Sequence, residues 1–446
     1  MTRRPSTTAS TRRSYWWSTT TTQASSSPTR SPTGSTCTRS SASPTGTTTP
    51  RASSPSTTRS TTAARCPTTR ATGELVRVLI IGAGIGGMSA GIALERLGIE
   101  VELVDIDPRW RVYGAGITIA GATLRAFKEL GIYEDVERLG YVGHGIRVCS
   151  VAGEPLWEVP TPMPAEAGVA GCGGIMRPVL HQILSARIMD AGIPVRLGTS
   201  VINLRQDPAR DTVDALFTDG ATGRYDLVVG ADGIYSWTRR LIFPDAPRPE
   251  YTGQSVWRIL TDRPDHVDRR HYFLGGPAKV GFTPVSDSQM YLFVAERTAR
   301  EIREPGELYE AFVKLLAGYG GMVADIRDKV TPETEIVFRP LETFHLPAPW
   351  HAGRVALIGD AAHPTTPQLA SGAGIAVEDA LVLAEELARD GTVPAALDAF
   401  LRRREARCRL VVDSSIEIGR LEQVGAPPEQ QTAVVERALA KLAEPI

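Results

Sequence analysis

Val76-Arg77-Val78-Leu79-Ile80-Ile81-Gly82-Ala83-Gly84-Ile85-Gly86-Gly87-Met88 is the stretch on which the fold turns. Val76 to Ile81 reads as an apolar run, as expected of a parallel strand buried on both faces. Three glycines follow. Gly82 permits a tight turn, Gly84 lets the backbone approach a pyrophosphate, and Gly87 lets the next helix pack close to the strand. Ile85, Met88 and Ile92 then recur at helical spacing, and the helix is expected to end near Gly98. Its first N–H groups would face the phosphates. A second strand, Glu100 to Val104, ends at Asp105, which lies 18 residues beyond Gly87. That offset suits a carboxylate on an adenosine ribose, with Asp107 the weaker candidate. The unit reads as a dinucleotide half-site and does not separate NAD from FAD.

Two distant segments decide between them. Tyr225-Asp226-Leu227-Val228-Val229 is another apolar strand, ending in Gly230-Ala231-Asp232-Gly233. An Asp at a strand's carboxyl end, followed by Gly, can orient groups around a phosphate, although a plain strand-end turn would read the same. Arg354 to Ile358 is a third strand, with Gly359-Asp360-Ala361-Ala362-His363-Pro364 at its end. Pro367 and then Ser371-Gly372-Ala373-Gly374 open a helix whose Ala376, Ala380, Leu383 and Leu387 form a buried stripe. A helix N-terminus behind a proline-bearing loop stabilises nearby negative charge by about 0.3–1 kcal/mol. Reduced flavin carries such charge near N1 and O2, so the order of the three segments points to one FAD held along its length.

Taken together, these segments resemble the single-component, class A FAD-dependent aromatic hydroxylases, which are para-hydroxybenzoate-hydroxylase-like and salicylate-hydroxylase-like. The resemblance runs from about Val76 to about Arg420. Pro349 to Pro364 and Glu378-Asp379-Ala380 carry it most specifically, with Tyr113-Gly114-Ala115-Gly116-Ile117 and Arg177-Pro178-Val179-Leu180-His181 in support. It implies an α/β fold: a Rossmann-type, glutathione-reductase-like FAD-binding domain, an inserted mixed or antiparallel β-sheet substrate domain, and C-terminal helices. It implies that Asp105 binds the adenosine ribose and that Arg177 contacts the ribityl region. Asp232 falls in the segment associated with the pyrophosphate and NAD(P)H, and Asp360 takes the position that bonds the ribityl chain. Pro367 lies in the loop beside the reactive edge of the isoalloxazine, while Gly372, Ala373 and Gly374 offer backbone N–H groups near N1 and O2. His363 lies in the same motif and orders its loop. Arg111 is set aside, its register being unsettled. Ala370, Ser371 and Gly374 depart from the commonest family form, and Gln368 stands where the salicylate-hydroxylase side often has His.

The implied chemistry is reduction of FAD by NADH or NADPH, addition of O2 at flavin C4a, and transfer of oxygen from that hydroperoxide to a small phenolic or heteroaromatic ring. No second glycine fingerprint follows Gly87, which fits a nicotinamide that visits transiently. The rival readings are a halogenase or reductase of related fold, and a non-catalytic FAD-binding protein. The Trp-x-Trp-x-Ile stretch expected of a tryptophan halogenase is absent.

The expected organisation is a low-complexity tail over 1–73 and a first part of the FAD domain over 74–250, of which 140–176 contributes to the substrate domain. The substrate sheet spans 251–340, the second FAD part 341–390, and helices 391–446. The tail holds ten arginines and no acidic residue, and the remainder carries 39 basic against 50 acidic residues. An acidic body argues against nucleic acid, which needs clustered basic surface. The tail has almost no aliphatic residues and is expected to be disordered. A disordered arm, a transit-like segment and a mis-assigned start near Val76 all fit; the last is preferred because Val76 already opens a complete strand. The five cysteines show no metal spacing, which suits a reduced, cytoplasmic setting with no metal. The uncharged stretch Val78 to Leu94 is 17 residues long and contains five glycines, so no membrane span is expected. A monomer or homodimer is expected.

In the substrate segment, alternation over Tyr251–Leu260, Tyr272–Leu274 and Met290–Val294 reads as an antiparallel sheet with one covered face. Trp257, Arg258, Tyr272, Phe282, Pro284 and Tyr291 are candidate pocket linings, weighed against ordinary core. His144, His271 and Tyr113 are candidate bases, none preferred. Arg402-Arg403-Arg404 reads as a solvated face of a packing helix.

Overall fold

A computed structural model describes residues 76–446 apart from 113, 164 and 302. The expectations placed on 1–73 and on Tyr113 fall outside the described residues.

A six-stranded sheet forms the foundation, in the order His351–Ala352, Val355–Leu357, Leu227–Gly230, Arg77–Ile81, Glu100–Asp105, Val195–Leu197. All its pairings are parallel except the outermost, His351–Ala352 against Val355–Leu357. The apolar run at 78–81 is the middle of this sheet and almost wholly buried, which is why it shows no alternation. Register does the rest. Ile81 pairs with Gly230 on one side and Val104 on the other, and Gly230 pairs with Leu357. Four strands therefore end at one level, and the loops after Ile81, Gly230 and Leu357 open on the same edge. Ligands of open α/β sheets bind in the crevice at such carboxyl ends.

Helix Ile85–Glu95 follows the first strand and is apolar nearly all round. It is buried between the sheet and helix Gly372–Leu387. A second, seven-stranded sheet runs Val337–Thr343, Glu250–Asp262, Gln289–Arg297, Lys279–Pro284, Arg270–Phe273, Ile146–Cys149, Pro155–Val159. It is antiparallel except where Arg270–Phe273 meets Ile146–Cys149 in parallel. One face packs on helices Pro305–Leu316 and Gly321–Arg327 through Trp257, Phe273, Phe282, Leu292 and Phe312. The other faces a small sheet of Gly116–Ala120, Cys172–Met176 and Tyr141–Gly143, and the two are tied by hydrogen bonds joining Thr118, Thr283 and Tyr291.

The helix Val393–Gln423 runs 31 residues and packs against helix Gly372–Leu387. The Arg402-Arg403-Arg404 run departs from the solvated face expected of it. Arg402 is exposed, but Arg404 is fully buried. It takes its place in an inward stripe with Leu397, Phe400, Cys408 and Val411. The triple-arginine run is a solvated face only at its first member.

Candidate functional site

The three loops converge on one cavity of about 550 Å³. Gly84, Ile85 and Gly86 line it from the first loop, and Ala231 and Gly233 from the second. Gly359, Asp360, Pro367, Gly372 and Ala373 line it from the third. The packing requires glycine at several points. A β-carbon on Gly87 would stand 1.9 Å from the Gly82 carbonyl oxygen, and one on Gly82 would stand 2.5 Å from that of Ala231. Gly84, by contrast, faces open space. Ala376 is the common anchor: its β-carbon lies 3.4 Å from where one on Gly86 would be, and 3.0 Å from where one on Gly359 would be.

The carboxylates play different parts. Asp105 accepts the Ala83 N–H through Oδ2 and the Asp107 N–H through Oδ1, both at 2.8 Å, so it fixes the glycine loop at its entry. Asp232 spends both oxygens on its own turn. Oδ1 accepts from the Ser236 hydroxyl, and Oδ2 accepts from the Thr238 N–H and hydroxyl at 2.9 and 3.0 Å. Its neighbours Ala231 and Gly233, not Asp232 itself, reach the cavity. Asp360 meets the solvent of the cavity while protein encloses it around. That enclosure pushes its carboxyl above the ordinary range, opposed by the charges of His363 and Arg177. Arg177 opens helix Arg177–Asp190 and lines the opposite wall. Arg111, set aside on sequence, lines the cavity as well.

Pro367 opens a short turn ending at Ala370, whose φ of 55° is left-handed, a strained backbone for a residue with a side chain. Gly374 does not reach the cavity. A β-carbon there would stand 2.0 Å from Thr123 Oγ1, so this departure from the family form reflects close helix packing. His363 is fully buried beneath the turn, where its Nε2–H donates to Asp379 Oδ2 at 2.7 Å. It orders the loop and does not line the cavity.

A smaller inner cavity of about 30 Å³ opens beyond Pro367 and Ala370, sharing Thr118, Arg258 and Tyr291 with the larger one. Of the six candidate linings, Arg258, Tyr272 and Tyr291 reach it. Trp257, Phe282 and Pro284 do not. Trp257 packs on Phe312 and Phe338, and Phe282 on Phe273, in the opposite layer. Neither histidine proposed as a base lines a cavity: His144 Nδ1 accepts the Gly171 N–H, and His271 is buried against Phe282.

Sequence reasoning missed the charge of this inner cavity. Arg270 and Lys279 line it, and Lys279 pairs with Glu422 at 3.0 Å. Among the described residues, no carboxylate lies within ion-pair distance of Arg258 or Arg270. Arg270 is buried, donates to the Tyr272 hydroxyl, and leaves its Nε unpartnered. Burial pushes the Arg258 guanidinium down to about 10, with Tyr291 opposing and Arg177 adding to the shift. Arg239 was also missed. It is buried and bridges two of the loops, donating to Ala361 O and to Ile234 O at 2.8 Å each.

Strand-end loops around one long cavity, with a β-sheet roof carrying a second chamber, define a flavin-dependent oxygenase architecture. Comparison with known proteins agrees. A family model described as an FAD binding domain matches residues 75–415. The aurachin C monooxygenase/isomerase of Stigmatella aurantiaca is 34% identical over 78% of this chain and 89% of that protein. The 2-heptyl-3-hydroxy-4(1H)-quinolone synthase of Pseudomonas aeruginosa (strain UCBPP-PA14) is 33% identical over 78% and 90%. Among solved structures, HpxO of Klebsiella pneumoniae, complexed with FAD and uric acid, superposes with a TM-score of 0.69 at 25% identity, covering 83% of this chain and 93% of that one. The chain belongs to the FAD-binding-domain family and is a single-component FAD-dependent monooxygenase of the aromatic-hydroxylase type, with NAD(P)H as the family's reductant. Among the described residues, no helix is long and apolar enough to cross a membrane.

The fit to FAD is chemical as well as topological. The lining offers glycine backbone at Gly84, a helix N-terminus at Gly372 and Ala373, and a cation and a carboxylate at Arg177 and Asp360. These suit a pyrophosphate, a flavin edge and a ribityl chain respectively. Metal chemistry is not called for at the buried cluster beneath the turn. His363, Asp379 and Cys408 offer ligand atoms within 4.8 Å of one another, but both Asp379 oxygens are occupied and the Arg404 guanidinium already supplies the positive charge.

Proposed function

We propose that the enzyme hydroxylates a small, electron-rich aromatic compound carrying an acidic group, its ring where the large cavity meets the inner one at Arg258 and Tyr291 and its anionic group turned toward the inner cavity. Gly84, Ile85 and Gly86 would hold the FAD pyrophosphate end, with Gly82 and Gly87 shaping the loop behind them and Asp105 at the ribose. Arg177 and Asp360 would hold the ribityl chain, and Pro367, Gly372 and Ala373 the isoalloxazine. When bound, FAD supplies the redox chemistry that accepts a hydride from NADH or NADPH and activates O2. The chain supplies binding, orientation and a chamber sheltered from water.

The observation that carries the substrate reading is the charge of the inner cavity: Arg258, Arg270 and Lys279 against Glu422 alone. A phenolate or carboxylate about 4 Å from one guanidinium gains about 4 kcal/mol at an effective dielectric of about 20. That corresponds to about 3 pKa units, enough to deprotonate a phenol without a dedicated base. No histidine lines either cavity among the described residues, which agrees with this economy. Acidic ring compounds recur among similar proteins: HpxO is complexed with uric acid, and the Pseudomonas aeruginosa relative is named for synthesis of a hydroxyquinolone.

The test is turnover by the FAD-loaded protein with NADH or NADPH, air, and paired substrates that differ only in the acidic group, such as hydroxybenzoates against phenol. Hydroxylated product favouring the acidic member supports the proposal. Preference for the neutral member would reject the anionic substrate. Oxidation of NAD(P)H that never yields a hydroxylated product would reject the hydroxylase in favour of a reductase or a non-catalytic flavoprotein.

A further inference from the structure

Beneath the Gly359–Asp360 turn lies a buried charge network that the proposed chemistry does not use. Arg404, from the long C-terminal helix, forks between two neighbouring acids: its Nε meets Asp379 Oδ1 at 2.8 Å and its Nη1 meets Glu378 Oε2 at 2.8 Å. Asp379 passes the linkage upward. Its Oδ2 accepts the Gly359 N–H at 2.9 Å and the His363 Nε2–H at 2.7 Å. Arg404, Asp379 and His363 are all fully buried. Glu378, the other prong of the fork, also carries an arm away from the turn. It takes Arg407 at 2.7 and 2.9 Å and lies 3.8 Å from Arg125.

Asp379 thus touches the turn at two points. One is the first residue of the Gly359–Ala361 helical turn, where φ is +57°. The other is the imidazole four residues on. Between those points stands Asp360, which faces the cavity. Among the described residues Asp379 is the acceptor for the Gly359 N–H, and a buried N–H without an acceptor is costly. Burial alone would raise the Asp379 carboxyl, but the His363 and Arg404 charges hold it well below the ordinary range. Burial alone would lower His363, yet Cys408 and Asp379 raise it well above its ordinary value. The network sets a guanidinium, a carboxylate and an imidazole in series, and both shifts favour the charged forms of Asp379 and His363.

We propose that Arg404 and Asp379 are cofactor-positioning residues, which set FAD affinity by fixing the Gly359–Asp360 turn from below. This rests on the reading that FAD lies against Asp360. A fork bridging two acids fixes Asp379 in rotation as well as position, which a lysine point charge cannot do. The chain of action runs from helix Val393–Gln423 through Asp379 to Gly359 and Asp360, which line the cavity floor.

The experiment compares FAD dissociation constants, by flavin fluorescence titration of apoprotein shown to be folded by circular dichroism. The variants are Asp379→Asn, Arg404→Lys, Arg407→Met and Asp360→Ala. We expect Asp379→Asn and Arg404→Lys each to raise the dissociation constant tenfold or more. Arg407→Met, which removes the Arg407 contacts to Glu378 and Leu442 but leaves the Arg404 fork in place, should change it less than twofold even where it lowers thermal stability. Combining Asp379→Asn with Asp360→Ala should cost less than the product of the two single effects, because both act through one turn. If Asp379→Asn fails to fold, Arg404→Lys and His363→Gln decide by the same criterion. Dissociation constants within twofold of wild type in the folded Asp379 or Arg404 variants, with Asp360→Ala impaired, would overturn the proposal alone. An unimpaired Asp360→Ala would remove the placement of FAD on which it stands.

Discussion

Two glycines in one loop should behave in opposite ways when each is changed to alanine. At Gly87 the added β-carbon would stand 1.9 Å from Gly82 O and 3.3 Å from Ile80 Cγ2. Ordinary van der Waals contact begins near 3.4 Å, so backbone must retreat by about 1.5 Å. The obstacle cannot swing aside. Gly82 is held by its N–H on Val104 O at 2.8 Å and has Ala231 O against its other face. Overpacking of this kind costs about 1–3 kcal/mol, and a rigid backbone partner puts it at the upper end. Gly87→Ala should therefore lower the melting temperature of the apoprotein by several degrees and weaken FAD together. At Gly84 nothing lies within 4 Å of the new methyl, and φ is −79°, which alanine adopts freely. Its apoprotein should melt within about two degrees of wild type, because exchanging an N-cap glycine for alanine costs about 1 kcal/mol and a chain this long shifts little for that. The methyl, however, would project into the cavity where the pyrophosphate has to approach. We expect a tenfold or greater loss of FAD affinity, about 1.4 kcal/mol. Differential scanning fluorimetry of apoprotein and fluorescence titration with FAD measure both quantities. Unchanged FAD affinity in Gly84→Ala would refute the close backbone approach, and an undisturbed apoprotein in Gly87→Ala would refute the packing argument.

Three other outcomes follow from the geometry. The His363–Asp379 pair should leave a signature in the pH dependence of stability. His363 is raised in the folded state, so its contribution is complete below about 6.5 and fades as pH climbs through its folded value; Asp379 is lowered, so its contribution is present above about 3.9 and fades as pH falls below that. The urea-midpoint difference between wild type and His363→Gln should thus be largest between about pH 4 and 6.5 and shrink on the alkaline side; a difference that grows there would show the sign to be wrong. Ala370→Gly should stabilise the protein by up to about 1 kcal/mol in thermal or urea denaturation, because relief of the left-handed strain exceeds the entropy glycine restores to the unfolded chain; clear destabilisation would mean the strain is illusory. Arg270→Met should raise KM for an acidic aromatic substrate tenfold or more while leaving FAD affinity unchanged, and an unaltered KM would remove Arg270 from substrate binding.

The parts of the fold legible in the sequence were those specified locally. Val76 to Gly98 and Arg354 to Leu387 announce strand, loop and helix through their own apolar periods and glycines, and register then brings their loops together at Gly230 and Leu357. What escaped was specified by distant partners. Arg239 bonds to Ala361 across 122 positions, and Lys279 meets Glu422 from another element altogether. No local pattern encodes such pairs. Two misreadings, however, had a signal available. Arg404 sits in step with Leu397, Phe400, Cys408 and Val411, a 3.6-residue stripe that marks an inward position. Trp257 and Arg258 are consecutive in a strand, so their side chains must leave opposite faces, and both could not line one cavity. Arg258 faces the chamber and Trp257 the helical layer behind it. The same alternation puts Tyr291 in the chamber and Met290 and Leu292 in the core.

The most direct measurement is a crystal structure of the FAD-loaded enzyme. The account predicts the pyrophosphate at Gly84 and the ribityl chain between Arg177 and Asp360. It predicts the isoalloxazine against Pro367 and Gly372, its reactive edge turned toward Arg258 and Tyr291. An isoalloxazine bound away from the 359–374 turn, with the chamber behind Pro367 out of its reach, would contradict it.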